Sequence, residues 1–225
     1  MIKKGDFIEI EYTGMTDDKS VFDTTDENLA REKNIHHSKT EYGPAIVCIG
    51  EKHLVAGLDE QLAGKEPGKH TINLSPEQAF GSKDPKMIQL IATSKFKKQG
   101  INPTVGLQLV IDNVIGTIKT VTGGRTIVDF NHPLAGKNIT YNVNVKRVVQ
   151  DKKEKALALL KLEFRIGDNN AEFKDKKLVI KSDKPVPEAV KTHITHRAKD
   201  LTGVEEVEFR VEKALGKKET KKKGK

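Results

Sequence analysis

The stretch 54–81 constrains the fold and the site of this chain more than any other segment. It reads LVAGLDEQLAGKEPGKHTINLSPEQAFG. The pattern predicts one short helix that ends at Gly64, a turn at Pro67-Gly68, a strand over 69–74, and a loop that returns Phe80. These elements form an apolar slot with an apolar floor and an aromatic wall. A backbone N–H at the start of the helix gives the slot a fixed hydrogen-bond donor. Such a slot is typical of sites that bind a neutral ligand, and it lacks the groups that hydrolysis requires.

The formal net charge of +8 lies mostly at the C-terminus. Residues 217–225 carry six lysines and one glutamate, a net charge of +5, which leaves +3 for residues 1–216. With few arginines and without interleaved aromatic residues, the body of the chain does not have the pattern of a nucleic-acid-binding surface. The basic tail is predicted to be a disordered, solvated terminus. Weak attraction to RNA or to a ribosomal surface is the alternative.

Length, hydropathy and cysteine content set further bounds. A chain of 225 residues predicts two or three compact units. No run approaches the roughly 18 apolar residues of a membrane span, and strand alternation begins directly after the N-terminus, so we expect a cytoplasmic protein with no membrane partner. The single cysteine, Cys48, excludes an internal disulfide and is interpreted as a buried, inert thiol.

Alternating apolar and polar residues predict strands at 6–12, 44–49 and 139–149. Between 84 and 130 the pattern changes, since turns recur, apolar pairs are scattered, and the Gly123-Gly124 dipeptide suits a hairpin turn. We interpret this block as a small all-β insertion, after which the strand at 139–149 rejoins the first unit.

A third unit is predicted beyond a charged hinge at 151–155. Apolar residues at 160, 162, 164 and 166 alternate with polar ones and indicate a strand over 160–166. A second strand, a helix that begins at Pro187 and ends at Gly203, and a final strand complete a ββαβ order. The unit could dimerise through an exposed edge strand, extend a surface for client proteins, or only stabilise the chain.

The expected fold class is therefore α+β. It combines an antiparallel sheet wrapped on a short helix, an all-β insertion and a C-terminal ββαβ domain. The expected division is 1–83 with 131–150 for the first domain, 84–130 for the insertion, 151–216 for the C-terminal domain and 217–225 for the tail.

Six motifs, in order and spacing, resemble the FKBP-type peptidyl-prolyl cis–trans isomerases. They are IEYTG (10–14), VFD (21–23), GPAIVCIG (43–50), LVAGLDEQLAGKEPG (54–68), AFG (79–81) and NHPLAGKNITYNV (131–143). The last motif and the insertion before it resemble the SlyD-like branch, in which an insert-in-flap domain interrupts the isomerase. The added C-terminal domain resembles a long archaeal member. The resemblance covers about residues 1–150.

This resemblance implies an isomerase with no cofactor and no metal, and it assigns a pocket position by position. The implied pocket residues are Tyr12, Phe22, Asp23, Val47, Leu54, Val55, Leu58, Phe80 and Tyr141. The Val55 N–H is implied to donate to the substrate carbonyl, and Asp23 is expected at the rim as a hydrogen-bonding partner of Tyr12. Leu58 and Phe80 replace a tryptophan and a tyrosine of many members, so macrolide binding is not expected to carry over.

The insertion is expected to act as a chaperone that holds unfolded or nascent polypeptides near the pocket. The residues predicted on its outer face are Ile88, Leu90, Ile91, Phe96, Leu109 and Val110. The rival hypothesis is a non-catalytic polypeptide-binding chaperone on the same scaffold. His36, His37, His193 and His196 are interpreted as surface residues, and no metal site is inferred from them.

Overall fold

The computed structural model of the chain describes residues 1–174 and 177–212. In this part the strands are β1 (Phe7–Thr16), β2 (Val21–Thr24), β3 (Ala45–Cys48), β4 (Gly68–Leu74), β5 (Ile88–Ala92), β6 (Gln108–Ile111), β7 (Val114–Thr122), β8 (Arg125–Asp129), β9 (Ile139–Val149), β10 (Ala171–Lys174), β11 (Lys177–Ser182) and β12 (Glu206–Val211). The helices are α1 (Glu27–Glu32), α2 (Ala56–Leu62), α3 (Thr93–Lys98), α4 (Lys152–Phe164) and α5 (Glu188–Thr202). The predicted basic tail, 217–225, lies outside the described residues.

The first sheet is antiparallel, and β9 lies at its centre. Its order is β2-β1-β9-β4, and β3 pairs with β1 off this path. The short helix α2 packs on one face, where Leu58 and Leu62 are almost fully buried. The core between helix and sheet consists of Ile2, Ile8, Ile10, Val47, Ile49, Leu58, Leu62, Ile72, Leu74, Ile139, Tyr141, Val143 and Val145. The predicted antiparallel sheet on a short helix is therefore confirmed.

A second antiparallel sheet, of order β5-β8-β7-β6, interrupts the first between β4 and β9. Gly123 and Gly124, both at positive φ, make the β7–β8 turn that the sequence predicted. The segment also contains the six-residue helix α3, which the sequence analysis did not anticipate. Its Phe96 is 3% exposed and packs with Ile118 and Val128. The prediction that Phe96 faces outward is therefore wrong. Helix α3 carries three lysines, and the buried Phe96 side chain attaches it to this small core.

The C-terminal unit begins with a helix where a strand was predicted over 160–166. Residues 152–164 form α4, and Asp151 caps it by accepting a hydrogen bond from the Glu154 N–H at 2.8 Å. The strand prediction and the charged hinge are wrong here, because Ala156, Leu159 and Leu160 bury one helical face in a segment rich in strong helix formers. The following order β10, β11, α5, β12 has the predicted ββαβ form, displaced along the chain.

The C-terminal helices pack against the first sheet. Phe7, Cys48 and Val149 of β1, β3 and β9 share one buried cluster with Leu159 of α4 and Ile194 of α5. Strand β1 is therefore buried on both faces, since Phe7 contacts the C-terminal unit while its neighbour Ile8 lies in the core under α2. No helix in the described ranges has the length and apolar character needed to cross a membrane.

Candidate active site

Four aromatic rings from four different elements meet on the first sheet. Tyr12 lies on β1, Phe22 on β2, Tyr141 on β9, and Phe80 in the loop that follows β4. The ring centroids are 6.0 Å apart for Tyr12 and Tyr141, 5.8 Å for Phe22 and Tyr141, and 5.9 Å for Phe22 and Phe80. All three pairs are edge-to-face, the geometry that aromatic quadrupoles favour. The four predicted pocket aromatics thus form one connected cluster.

Gly14 allows two of these rings to approach the backbone of β1. A Cβ atom at this position would lie 2.7 Å from Phe22 Cζ and 2.8 Å from Tyr141 Cε1. In the strand register Gly14 is paired with Asp23 on one side and with Tyr141 on the other. Any side chain at this position would therefore displace a ring of the cluster.

The apolar residues predicted for the pocket floor, Val47, Leu54, Val55 and Leu58, belong to or pack against the same core cluster as the rings. Val47 and Leu58 are 3% and 1% exposed, so they support the floor from below, whereas Leu54 and Val55 are only partly buried. Val55 is the N-cap of α2, and its carbonyl accepts hydrogen bonds from the Leu58 and Asp59 N–H groups at 2.9 and 3.0 Å. Within the described part of the chain, no group accepts a hydrogen bond from the Val55 N–H.

The loop that carries Phe80 is held against the start of α2. The Gly57 N–H donates to the Gln78 carbonyl at 2.8 Å, and a Cβ atom at Gly57 would lie 2.7 Å from that oxygen. The Gly81 N–H donates to the Pro76 carbonyl at 2.6 Å, which closes the loop. These backbone contacts fix the position of the aromatic wall relative to the floor.

His132 is a pocket-edge residue that the sequence reasoning missed. Its ring stacks on Phe80 with a centroid distance of 4.7 Å and an interplanar angle of 4°. Its Nδ1 accepts the Leu134 N–H at 3.2 Å, which fixes the ring orientation. The signal was present, since His132 lies in the NHPLAG motif, where the chain returns from the second sheet to the first.

A half-buried carboxylate, that of Asp23, lies beside the two tyrosines. Burial raises the pKa of Tyr12 far above its ordinary value, and the Asp23 carboxylate, which accepts a hydrogen bond from its hydroxyl, raises it further. Burial also raises the pKa of Tyr141, with smaller contributions from Asp23 and Tyr12. The pKa of Asp23 itself is raised by burial, against the hydrogen bonds from Tyr12 and from the Thr24 N–H. Both phenols therefore remain neutral hydrogen-bond donors at physiological pH.

A cleft of about 250 Å³ adjoins the aromatic cluster. Phe22 and Asp23 form one wall, and Ile35, His37 and Tyr42 of the loop after α1 form the other. Tyr42 is held in place by a stacked contact with His36 at 5.1 Å and by the hydrogen bond that its hydroxyl accepts from the His37 N–H. The cleft lies past Phe22 and has a mixed lining, with Thr24 and Asn34 beside Ala30 and Ile35.

A larger cleft, of about 810 Å³, lies on the outer face of the same sheet and has a different character. It reaches Tyr12 of the aromatic cluster, but most of its lining residues are polar and include Glu11, Thr13, Lys69, Asn142 and Asn144. These residues alternate along their strands with the core residues, so they project away from α2. This cleft does not have the apolar walls that the sequence analysis requires of the site.

The six residues predicted on the outer face of the insertion divide into three groups. Ile88, Leu90 and Val110 are 42%, 61% and 66% exposed, as predicted, whereas Ile91 and Leu109 are half-buried against the small core. The third group is Phe96, whose prediction is wrong as described above.

A hairpin adds exposed apolar surface that the sequence reasoning missed. Val114 and Ile115 are 45% and 62% exposed, and the register pairs Ile115 directly with Val110. The β6–β7 turn is made by Asp112 and Asn113, both at positive φ, as two-residue hairpin loops require. The Asp-Asn dipeptide between two apolar pairs was the available signal.

Comparison with known proteins gives matches over both β sheets. The model of FKBP-type peptidyl-prolyl cis-trans isomerases matches residues 1–98, and a model described as the IF domain of FKBP26 matches residues 89–134. The short-type peptidyl-prolyl cis-trans isomerase of Methanocaldococcus jannaschii is 33% identical over 149 residues, which cover 66% of this chain and 94% of that protein. The FKBP-type 16 kDa isomerase of Escherichia coli K12 is 32% identical over 111 residues, 47% of this chain and 74% of that protein. The isomerase SlyD of Vibrio cholerae is 34% identical over 111 residues, 47% of this chain and 54% of that protein.

The fold and these matches define the class of this protein, a prolyl-isomerase fold into which a second β sheet is inserted. The chain belongs to the FKBP-type peptidyl-prolyl cis-trans isomerase family, with relatives that include SlyD proteins. The resemblance that the six motifs carried is confirmed.

Proposed function

We propose that the aromatic cluster and its apolar floor are the catalytic pocket. Isomerising an X–Pro bond breaks no covalent bond, but it must overcome a rotational barrier of roughly 18–20 kcal/mol that amide resonance creates. In the twisted transition state this resonance is lost, and the charge separation of the amide falls. A pocket that cannot solvate the planar amide therefore binds the twisted form relatively better, and only that difference accelerates the reaction.

The observation that carries this proposal is the convergence of the four rings next to an unused backbone donor. Tyr12, Phe22, Phe80 and Tyr141 form one connected ring cluster, and Val55 packs against the same core cluster as these rings. In the proposed complex the proline ring packs among the aromatic side chains. The carbonyl of the substrate accepts a hydrogen bond from the Val55 N–H, which fixes the chain while the prolyl bond rotates.

Asp23 and Tyr12 are proposed to act on the pocket without transferring a proton. The carboxylate accepts the phenolic hydrogen bond, which orients the Tyr12 ring and keeps it neutral. A proton acceptor is not required, because neither isomer gains or loses a proton. Asp23 therefore acts as an electrostatic and orienting group at the rim of the pocket.

We further propose that the block 84–130 is an insert-in-flap domain that holds unfolded or nascent polypeptides. Its exposed hairpin residues, Val110 and Ile115, lie side by side and give an apolar edge that an extended chain can contact. Holding a client there raises the effective concentration of its prolines at the pocket. In this proposal residues 1–83 and 131–150 form the isomerase domain, 151–216 form the C-terminal domain, and the protein acts in the cytoplasm.

Refolding of a client protein limited by a trans-to-cis prolyl step tests the pocket and the insertion together. The full chain, at catalytic amounts, is expected to accelerate the slow phase. Phe80→Ala removes one aromatic wall and is expected to lower the acceleration roughly two- to tenfold, since an aromatic contact contributes about 0.5–1.5 kcal/mol.

The double variant Val110→Ser with Ile115→Ser is expected to weaken acceleration on this protein client as well. Its matched control is Val190→Ser with Val211→Ser, which removes similarly exposed valines from the C-terminal unit. If the wild-type protein suppresses aggregation but leaves the slow phase unchanged, the chain is a non-catalytic chaperone on an isomerase fold. If both double variants lower the acceleration of refolding equally, the exposed hairpin of the insertion does not hold the client.

A further inference from the structure

The loop between β3 and α2 leads directly into the floor of the pocket, and the first sheet holds one side of it. The Gly50 N–H donates to both carboxylate oxygens of Asp59, at 3.0 and 2.9 Å. His53 Nδ1 accepts the Cys48 N–H at 3.0 Å. Val55, the proposed donor, follows His53 by two residues, so the orientation of this loop determines where the donor points.

The C-terminal unit holds the other side of the same loop. His53 Nε2 lies 3.1 Å from the Glu163 carboxylate of α4. Arg197 of α5 donates to both oxygens of that carboxylate, with Nε at 3.0 Å, and also pairs with Glu51 of the loop at 2.8 Å. Two loop residues and two C-terminal residues therefore form one continuous polar network.

The His53 ring has a defined tautomer in this network. Because Nδ1 accepts a backbone N–H, the proton of the neutral ring resides on Nε2, which donates it to Glu163. The His53 side chain is only 6% exposed and that of Glu163 17%, so water does not replace these bonds easily. A satisfied network at this depth is rigid, and removal of one member leaves the others unpaired.

Other ion pairs between the C-terminal unit and the rest of the chain are more exposed. Lys161 of α4 pairs with Glu41, and the two side chains are 45% and 72% exposed. Exposed pairs contribute little to stability, and this one does not touch the loop that carries Val55. Lys161 is therefore a suitable control for loss of an inter-unit contact.

We propose that Glu163 and Arg197 are positioning residues of the isomerase, through which the C-terminal unit fixes the Glu51–Val55 loop and so the direction of the Val55 N–H. This inference rests on the proposed role of Val55 as the substrate-carbonyl donor. The C-terminal unit then contributes to catalysis without touching the substrate, and displacement of its helices lowers activity.

The test uses the full chain and a short X–Pro peptide, with Glu163→Ala, Glu163→Gln and the control Lys161→Ala. Peptide isomerisation gives kcat/KM, and the Val55 amide signal of the free protein is followed by ¹H–¹⁵N NMR. Glu163→Ala is expected to lower kcat/KM roughly three- to tenfold and to shift the Val55 amide signal. Glu163→Gln is expected to recover part of both, because its amide oxygen can still accept from His53 Nε2, and Lys161→Ala is expected to change neither.

The proposal is overturned if folded Glu163→Ala keeps wild-type activity and an unshifted Val55 amide, or if Lys161→Ala causes the same loss. Arg197→Lys keeps the positive charge but loses the bidentate contact with the Glu163 carboxylate. If Glu163→Ala does not fold, kcat/KM and the Val55 amide signal are measured on Arg197→Lys instead. A wild-type chain without peptide activity refutes the proposed function instead. In that case the amide shift alone still decides whether Glu163 positions the loop.

Discussion

At the scale of single residues, Gly14 determines how closely Phe22 and Tyr141 can approach the strand that carries Tyr12. The sequence located these aromatics because each lies in a motif of fixed order. It could not locate Phe96 in the same way, since one aromatic among lysines has no periodicity that shows which side it faces. His132 was missed for a related reason, because a stack with Phe80 joins residues 52 positions apart, 80 and 132.

Gly14→Ala is expected to damage the pocket and the stability of the chain together. The new methyl group would overlap the Phe22 and Tyr141 rings, and such overpacking costs about 1–3 kcal/mol. The free energy of unfolding and the kcat/KM for a short X–Pro peptide are both expected to fall.

Gly116→Ala is the matched control for this prediction. Its methyl group would lie 2.6 Å from Val128 and 2.8 Å from Phe130 in the small core of the second sheet. A comparable loss of stability with unchanged peptide activity is expected there. Equal loss of activity in both variants would show that Gly14 acts only through general stability.

At the scale of elements, helix α4 shows where reading the sequence fails. The alternation at 160–166 indicates a strand, yet the helical spacing of Ala156, Leu159 and Leu160 decides the structure. The helix is stabilised by burial against β1, β3 and α5, and this contact cannot be read from local pattern. The strands of the first sheet were predictable because their alternation is long and their turns carry glycine.

Glu163 at the end of α4 gives a pH prediction. Burial alone would raise its pKa, but hydrogen bonds from Arg197 and His53 outweigh burial and lower the pKa below its ordinary value of 4.5. A carboxyl whose folded pKa is depressed adds stability that is present above the unfolded pKa and is lost as pH falls through the folded pKa. The groups that face it are Arg197 on α5, with Glu51 behind that guanidinium, and His53 on the loop.

Chemical denaturation of the wild-type chain and of Glu163→Gln, from about pH 5 down to about pH 3, measures this contribution. The wild-type protein is expected to lose more stability over this window, because the variant has no carboxyl to protonate at that position. Carboxylates that share no partner with Glu163 contribute equally in both proteins and cancel in the difference, whereas Glu51 shares Arg197 with Glu163 and belongs to the same network. Parallel curves for the two proteins would show that the network adds no stability through the charge of Glu163.

At the scale of the whole molecule, the second sheet and the C-terminal unit are not equally independent of the first sheet. The second sheet has its own small core around Phe96, Ile118 and Val128. The C-terminal unit instead shares a core with the first sheet through Phe7, Cys48 and Val149. The sequence indicated three units, but it could not show that Phe7 and Ile8 are buried against different partners. The physical reason is that alternation reports which residues share a face, and not what covers that face.

The most direct test of the catalytic pocket is the exchange rate of cis and trans isomers of a short X–Pro peptide, measured by NMR with catalytic amounts of the full chain. A short peptide is isomerised at the pocket without a contribution from the holding surface of the insertion. The wild-type chain is expected to accelerate exchange, and folded Phe22→Ala is expected to lower kcat/KM by at least about tenfold. The control Val190→Ser, on the exposed surface of α5, is expected to keep wild-type activity. Exchange that is equally fast with Phe22→Ala and with the wild-type chain would contradict the assignment of the pocket.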